Sequence, residues 1–230
     1  MTETLILAAI LVPCLIIAIV FHEVAHGWTA LMLGDPTAKE QRRLSLNPLR
    51  HVDPVGTLLV PGALALMGGP VFGWAKPVPV RQDRLDNPRY GMIAVAAAGP
   101  LTNLVLALAG ALILGTIAGV TVSGGGEVSQ WVLTGLGTFI LINVFLALFN
   151  LLPIPPFDGS HIVGGLLPPR LGIQWQKLQS LGMLLFVILI AATWAFPDSG
   201  LIEKTVLPPV LWLQEQYFAL ADGIARGIVG

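Results

Sequence analysis

His22, Glu23 and His26 are the residues of this chain best placed to do chemistry. They form the run His22-Glu23-Val24-Ala25-His26, an H-E-x-x-H pattern. On an α-helix, positions i and i+4 share one face. Two imidazoles so placed can bind one zinc ion, with the Glu23 carboxylate beside them to accept a proton from water activated there. The run lies within an apolar stretch, where an ionisable side chain costs on the order of 2.5–3.5 kcal/mol on insertion scales. Three such groups together require an interior cavity and a use. The competing reading is that they only hydrogen-bond between helices or sit near the lipid headgroups.

A catalytic zinc ion takes three protein ligands and keeps a fourth position open, and sites in helix bundles draw ligands from facing helices. The best candidate for the third is Asp158, which follows Asn150-Leu151-Leu152-Pro153-Ile154-Pro155-Pro156-Phe157 and precedes Gly159. The prolines force non-helical backbone, which membrane depth tolerates only inside protein or beside a water-filled cavity. Asp-Gly is equally an ordinary turn signal, so the residues alone leave Asp158 open between a ligand and a surface turn. Zinc is preferred over other divalent metals because the donors are two imidazoles and a carboxylate. The single cysteine, Cys14, permits neither an intramolecular disulfide nor a thiolate cluster.

The elements that must position these groups are membrane helices. Hydrophobic residues make up 55% of the 230 residues and charged residues 11%, against about 25% charged in ordinary globular chains. Several runs approach the ~20 apolar residues that cross a bilayer. Leu5–Leu33 reads as a long helix stopping at Gly34-Asp35-Pro36. Its start lacks a basic n-region, so it is expected to stay in the mature protein rather than act as a signal peptide. Val55–Gly69 is short and interrupted by Pro61 and Gly62, and is expected to be re-entrant or broken. Gly91–Val120, with a break near Gly99-Pro100, Trp131–Leu152 and Leu181–Phe196 follow, the last extended by a turn around Trp175–Ser180. The tail Leu201–Gly230 suits either a last span or an interfacial helix. Arg43-Leu44-Ser45-Leu46-Asn47 alternates as a short strand would, and Pro77-Val78-Pro79-Val80 must be extended. The expected fold is therefore an all-α polytopic membrane protein with one re-entrant or broken segment. It is expected to form a single domain over residues 1–230, with the core at about 5–167 and additional helices over 175–230.

The basic residues set orientation. With Val55–Gly69 re-entrant, every Lys and Arg except Lys204 and Arg226 falls on the cytoplasmic side. That puts the N-terminus outside and His22, His26 and Asp158 toward the cytoplasm. A net charge of -1 gives no reason to expect nucleic acid as a partner.

Three signatures resemble the site-2 protease family of intramembrane zinc metalloproteases. They are Phe21-His22-Glu23-Val24-Ala25-His26, then Gly99-Pro100-Leu101-Thr102-Asn103, and Asn150-x-x-Pro153-x-x-x-x-Asp158-Gly159. Gly34-Asp35-Pro36-Thr37-Ala38, Leu44–Gly56 and Gly73-Trp74-Ala75-Lys76-Pro77-Val78-Pro79-Val80 also resemble a compact bacterial branch. The likeness covers about residues 20–165. It implies that His22, His26 and Asp158 bind one zinc ion per chain, that Glu23 is the general base, and that Asn150 helps hold substrate or stabilise the oxyanion. It further implies a three-helix catalytic core with a small membrane-associated β-region, in a bacterial cell membrane, cleaving transmembrane proteins within or near the bilayer. The chain has no room for the PDZ or CBS domains of some relatives. A homo-oligomer stays compatible with the sequence.

Other polar residues carry weaker expectations. His51 suits an interfacial or structural hydrogen bond better than a metal. His161 suits a place behind Asp158 or a solvated face, and Asn103 either an interhelical bond or the border of the site. Three alternatives compete. A zinc protease with a soluble active site would need Glu40, Glu127, Glu203 or Glu215 as a ligand, and none lies in an evident metal-binding helix. A metal-binding scaffold without proteolysis fits the ligands but leaves Glu23 without a task. A transporter is disfavoured by the lack of internal repeats.

Overall fold

The first apolar run folds as one helix, α1 (Thr2–Met32). It ends where Gly34 adopts φ 99°, with Asp35 N–H donating to Ala30 O and Gly34 N–H to Leu31 O. This is a Schellman turn, a stop that favours glycine because its left-handed backbone carries no Cβ penalty. Asp35 then secures the following turn. Its Oδ1 accepts from the Thr37 N–H at 3.0 Å and hydroxyl at 2.5 Å, and its Oδ2 accepts from the Arg81 N–H at 2.6 Å.

The computed structural model describes residues 2–66, 73–196, 200 and 204–230. After α1 come α2 (Thr37–Glu40), a 3₁₀ turn at Pro48–Arg50, and a π-helical turn at Pro54–Leu59 that runs into α3 (Val60–Leu66). A further 3₁₀ turn at Gln82–Arg84 leads to α4 (Pro88–Ser123), α5 (Gln130–Asn150), α6 (Asp158–Leu166), α7 (Pro169–Gln179), α8 (Gly182–Ala195) and α9 (Leu207–Val229). Among the described residues three helices are long and apolar enough to cross a membrane: Leu5–Met32 of α1, α4 and α5. The α7–α8 pair passes the same test as a span bent by 60°. Residues 54–66 rise about 20 Å, short of a ~30 Å hydrocarbon core. The rest of the segment expected to be re-entrant, 67–69, lies outside the described residues, as do 201–203 of the tail.

Two expectations are corrected. The expected break near Gly99-Pro100 does not occur: α4 runs through both residues. A proline within a helix removes one hydrogen bond, which membrane helices tolerate where neighbouring groups compensate. The expected small β-region is absent as well: no residue among those described is in a strand. The extended stretch 73–80 does hydrogen-bond to its surroundings, but its partners are not extended. Trp74 N–H donates to Gly56 O in the π-helical turn, and Lys76 N–H to His51 O at the end of a 3₁₀ turn. Pro77 and Pro79 have no N–H to donate. A ladder needs two extended chains with alternating free groups, and the π-helical and 3₁₀ turns opposite do not supply the second.

Two compact units share the chain. One comprises Met1–Ala18, Leu101–Phe149 and Glu203–Gly230. Its polar centre is Asn103, fully buried, whose amide donates to Ala18 O at 3.1 Å and to Asn143 Oδ1 at 2.9 Å. Asn143 in turn donates to Phe139 O. In hydrocarbon such amides have no water to turn to, so they tie helices together. This is the interhelical bond, one of the two roles the sequence leaves open for Asn103. In the same unit α9 lies on α4, with Gly115 and Gly119 leaving room for Ala221 and Ile228, and Tyr217 Oη donating to Leu104 O.

The other unit comprises Ile19–Pro100 and Asn150–Ile202. Its core joins Ala30, Leu85 and Val95, flanked by Leu33, Val80 and Met92. Trp175 Nε1 and Gln179 Nε2 both donate to Ser160 O, so α7 braces α6. Phe157 packs edge-on against Phe186 at 5.8 Å. Gly159 is required at the head of α6, because a Cβ there would collide with the carbonyls of Leu151 and Leu152.

Candidate active site

The second unit brings His22, His26 and Asp158 together. The ligand atoms of the three lie within 4.8 Å of one another. His22 Nε2 and His26 Nε2 are 3.0 Å apart, and Asp158 Oδ2 lies 3.2 Å from the first and 3.4 Å from the second. The helix supplies the imidazoles at i and i+4, as the pattern predicts. The turn closed by Gly159 supplies Asp158, the first residue of α6.

The surroundings prepare these atoms as donors to a cation. His26 Nδ1 lies 2.7 Å from Val95 O. A carbonyl can only accept, so Nδ1 carries the proton and Nε2 presents its lone pair to the cluster. Asp158 Oδ2 is buried and accepts no hydrogen bond of sound geometry, a costly state for a carboxylate oxygen unless a cation completes it. Two imidazoles and one carboxylate form the donor set that suits zinc. Space for the cluster depends on Gly99, since a Cβ there would lie 2.5 Å from His26 Nε2 and 2.6 Å from His22 Nε2.

Glu23 lies beside the cluster, half-buried, with Oε2 accepting from the Val78 N–H at 2.7 Å. Val78 is buried between Pro77 and Pro79, so this donor is the only N–H of the three residues. Asn150 is the last residue of α5 and half-buried. His51 is buried, and its Nε2 lies 2.7 Å from Ser45 O, a structural contact of the kind expected. His161 receives a hydrogen bond from Gln179 Nε2 at Nδ1, at 3.4 Å. It lines a cavity of about 210 Å³ with Gln82, Arg89 and Gln176. Burial pushes its pKa below the ordinary value, against the Asp158 carboxylate, which raises it.

Three groups at the site had not been singled out as site residues from the sequence. The Val95 carbonyl and the Val78 N–H are backbone groups, which no residue type announces. Gly99 stands in a recognisable motif, but its service to the imidazoles depends on how closely α4 approaches them.

Known proteins resemble this chain in sequence. The chain is 40% identical over 183 residues to the Bacillus subtilis protein named "Putative zinc metalloprotease YwhC", covering 78% of each. The chain belongs to peptidase family M50, the site-2 protease family. The model of that family matches residues 116–192, which include Asp158. A Mycolicibacterium smegmatis protein, "Putative zinc metalloprotease Rip2", is 28% identical over 179 residues, 76% of this chain and 64% of that one. A Methanocaldococcus jannaschii protein named in the same way is 37% identical over 100 residues, 44% of this chain and 47% of that one. No solved structure matches the chain. Membership of this metalloprotease family and the three apolar helices make the chain a multi-pass membrane protein.

Proposed function

We propose that this M50 peptidase is a zinc-dependent protease that hydrolyses peptide bonds of transmembrane proteins within or near the bilayer. In this reading His22, His26 and Asp158 hold one zinc ion per chain, and Glu23 is the general base. The observation that carries it is the buried Asp158 Oδ2, without a hydrogen-bond donor and 3.2 and 3.4 Å from two imidazole nitrogens. When bound, the ion supplies Lewis acidity, making water acidic near neutral pH and polarising a carbonyl.

The chain's own residues do the rest. Glu23 takes a proton from the attacking water through Oε1 while Val78 N–H holds Oε2, and it returns the proton to the leaving amine. Asn150 donates to the oxygen on which negative charge develops. Val95 O and Gly99 keep the imidazoles oriented. The substrate is a locally extended segment, since a helix hides its carbonyls in its own hydrogen bonds. The edge of residues 73–80 that faces away from Glu23 offers it acceptors, with no N–H at Pro77 or Pro79. Water and the cut segment reach the site from the cytoplasmic side, in a bacterial cell membrane.

Glu23→Gln tests the reading. It preserves shape and all three ligands, so the purified variant should bind zinc as the wild type does. Removing a general base costs about 10²–10⁴-fold in rate. A pool of fluorophore- and quencher-labelled single-span peptides in detergent provides the assay. Cleavage by pure Glu23→Gln protein at near wild-type rate would remove Glu23 from the mechanism. A wild type that binds zinc but cuts nothing in the pool or in native membranes would favour the scaffold.

A further inference from the structure

Arg43 is buried, at 7% exposure, in a loop that follows α2. Burying a guanidinium is costly unless it is paired and hydrogen-bonded. Arg43 is only partly repaid. Its Nη2 donates to Lys76 O at 2.6 Å, while its Nε is buried with no hydrogen-bond partner. The chain is built to keep it there. Arg42 adopts the left-handed backbone (φ 54°), with Arg42 N–H donating to Lys39 O and Arg43 N–H to Ala38 O. That closes α2 with a second Schellman turn and fixes the direction in which Arg43 leaves.

What Arg43 holds is the chain that holds Glu23. Both backbone groups of Lys76 are taken: its N–H by His51 O at 2.8 Å, its carbonyl by Arg43. Two residues on, Val78 N–H reaches Glu23 Oε2. Residues 76 and 78 lie on the same edge of an extended chain, so fixing the Lys76 peptide sets where the Val78 N–H points. Trp74 is secured further back, by Gly56 O and by the Thr57 hydroxyl on its carbonyl. Burial lowers the Arg43 pKa while the Glu23 carboxylate opposes that shift.

We propose that Arg43 is a positioning residue for Glu23, acting through the Lys76–Val78 segment whose Val78 N–H aims the carboxylate. This deepens the reading of Glu23 as general base and rests on it for its catalytic consequence. Arg43 is not one of the three candidate metal ligands and acts through the segment it holds. Its removal should lower turnover and leave metal binding and KM in place.

The segment provides its own reporter, because Val78 is the only residue of 77–79 with an exchangeable backbone amide. Hydrogen exchange at that amide is measured in zinc-loaded, detergent-purified wild type, Arg43→Met, Arg43→Lys and Glu23→Gln. Arg43→Met should keep one zinc per chain and exchange at Val78 about tenfold faster, the scale of one lost hydrogen bond. Its kcat on a labelled single-span peptide should fall about tenfold, with KM within about twofold of wild type. Arg43→Lys should restore most of both. Val78 as slow in Arg43→Met as in wild type overturns the proposal. Loss of zinc together with fast exchange at Trp74 and Lys76 also overturns it, since Arg43 would then anchor the fold in general. If Glu23→Gln still cuts peptide, the general-base reading fails, and the Val78 exchange still decides whether Arg43 holds the segment.

Discussion

Gly99→Ala adds a single methyl group to a membrane helix and should disable metal binding. The added Cβ would lie 2.5 Å from His26 Nε2 and 2.6 Å from both Cε1 and Nε2 of His22, whereas ordinary van der Waals contact begins at 3.4 Å. Either the imidazoles or α4 must retreat by about 0.8–0.9 Å. Donor distances around a metal are tolerant to only about ±0.2 Å, so the shift exceeds the tolerance several times over. The rings cannot turn aside freely, because His26 Nδ1 is tied to Val95 O on the same helix as Gly99. Disturbing the groups that merely orient ligands costs about 10–100-fold in metal affinity. Displacing two ligands should cost at least about 100-fold. The assay is zinc stoichiometry of the detergent-purified protein, followed by competition with a chelator of known affinity. Gly135→Ala is the control, since a Cβ there meets nothing within 4 Å. It should keep its zinc and be unchanged or slightly stabilised, by up to ~1 kcal/mol from helix propensity. Wild-type zinc affinity in Gly99→Ala would refute the close approach of α4 to the two histidines.

Asp158→Ala should lose stoichiometric zinc, and undiminished binding would require a different third ligand and a redrawn site. Asp35→Asn should destabilise the protein by about 1–3 kcal/mol, since the buried carboxylate accepts from the Thr37 and Arg81 N–H groups and the Thr37 hydroxyl. The effect depends on pH with a definite sign. Burial raises the Asp35 pKa, but the bonds from Thr37 and Arg81 outweigh it and hold the carboxyl below its ordinary value of 3.8. Its contribution is therefore full above that ordinary value and lost as pH falls through the depressed one. Unfolding measured against pH should show wild type and Asp35→Asn converging in acid. A gap that stays constant down to pH 3 or widens would contradict the hydrogen bonding at this turn.

The sequence makes some parts of this arrangement easy to read and hides others. Periodicity is local, so His22 and His26 announce a shared helical face by their spacing alone, and Gly34-Asp35-Pro36 announces the end of that helix. Asp158 belongs to a distant segment. Its prolines and Asp-Gly pair are compatible with a turn or a ligand, and its approach to the two imidazoles is visible only once the chain is folded. Gly99-Pro100 invites a helix break because proline lacks a donor. Its glycine is there because α4 approaches two imidazoles more closely than any Cβ allows.

The missing β-region is the most instructive difference. The prolines at 77 and 79 indicate extended chain, but extension alone does not make a sheet, and Arg43–Asn47, whose alternation suits a strand, instead turns tightly with Ser45 N–H donating to Arg43 O. Where each backbone group finds its partner decides that. Here the Lys76 carbonyl goes to a guanidinium and the Val78 N–H to a carboxylate. A strand edge that could pair with any extended peptide is thereby committed, on its inner side, to the side chain that would act as the base. The prolines on either side of Val78 remove competing donors and leave one N–H for that task. The residues that deny the segment a β-ladder are the same ones that fix its place against Glu23.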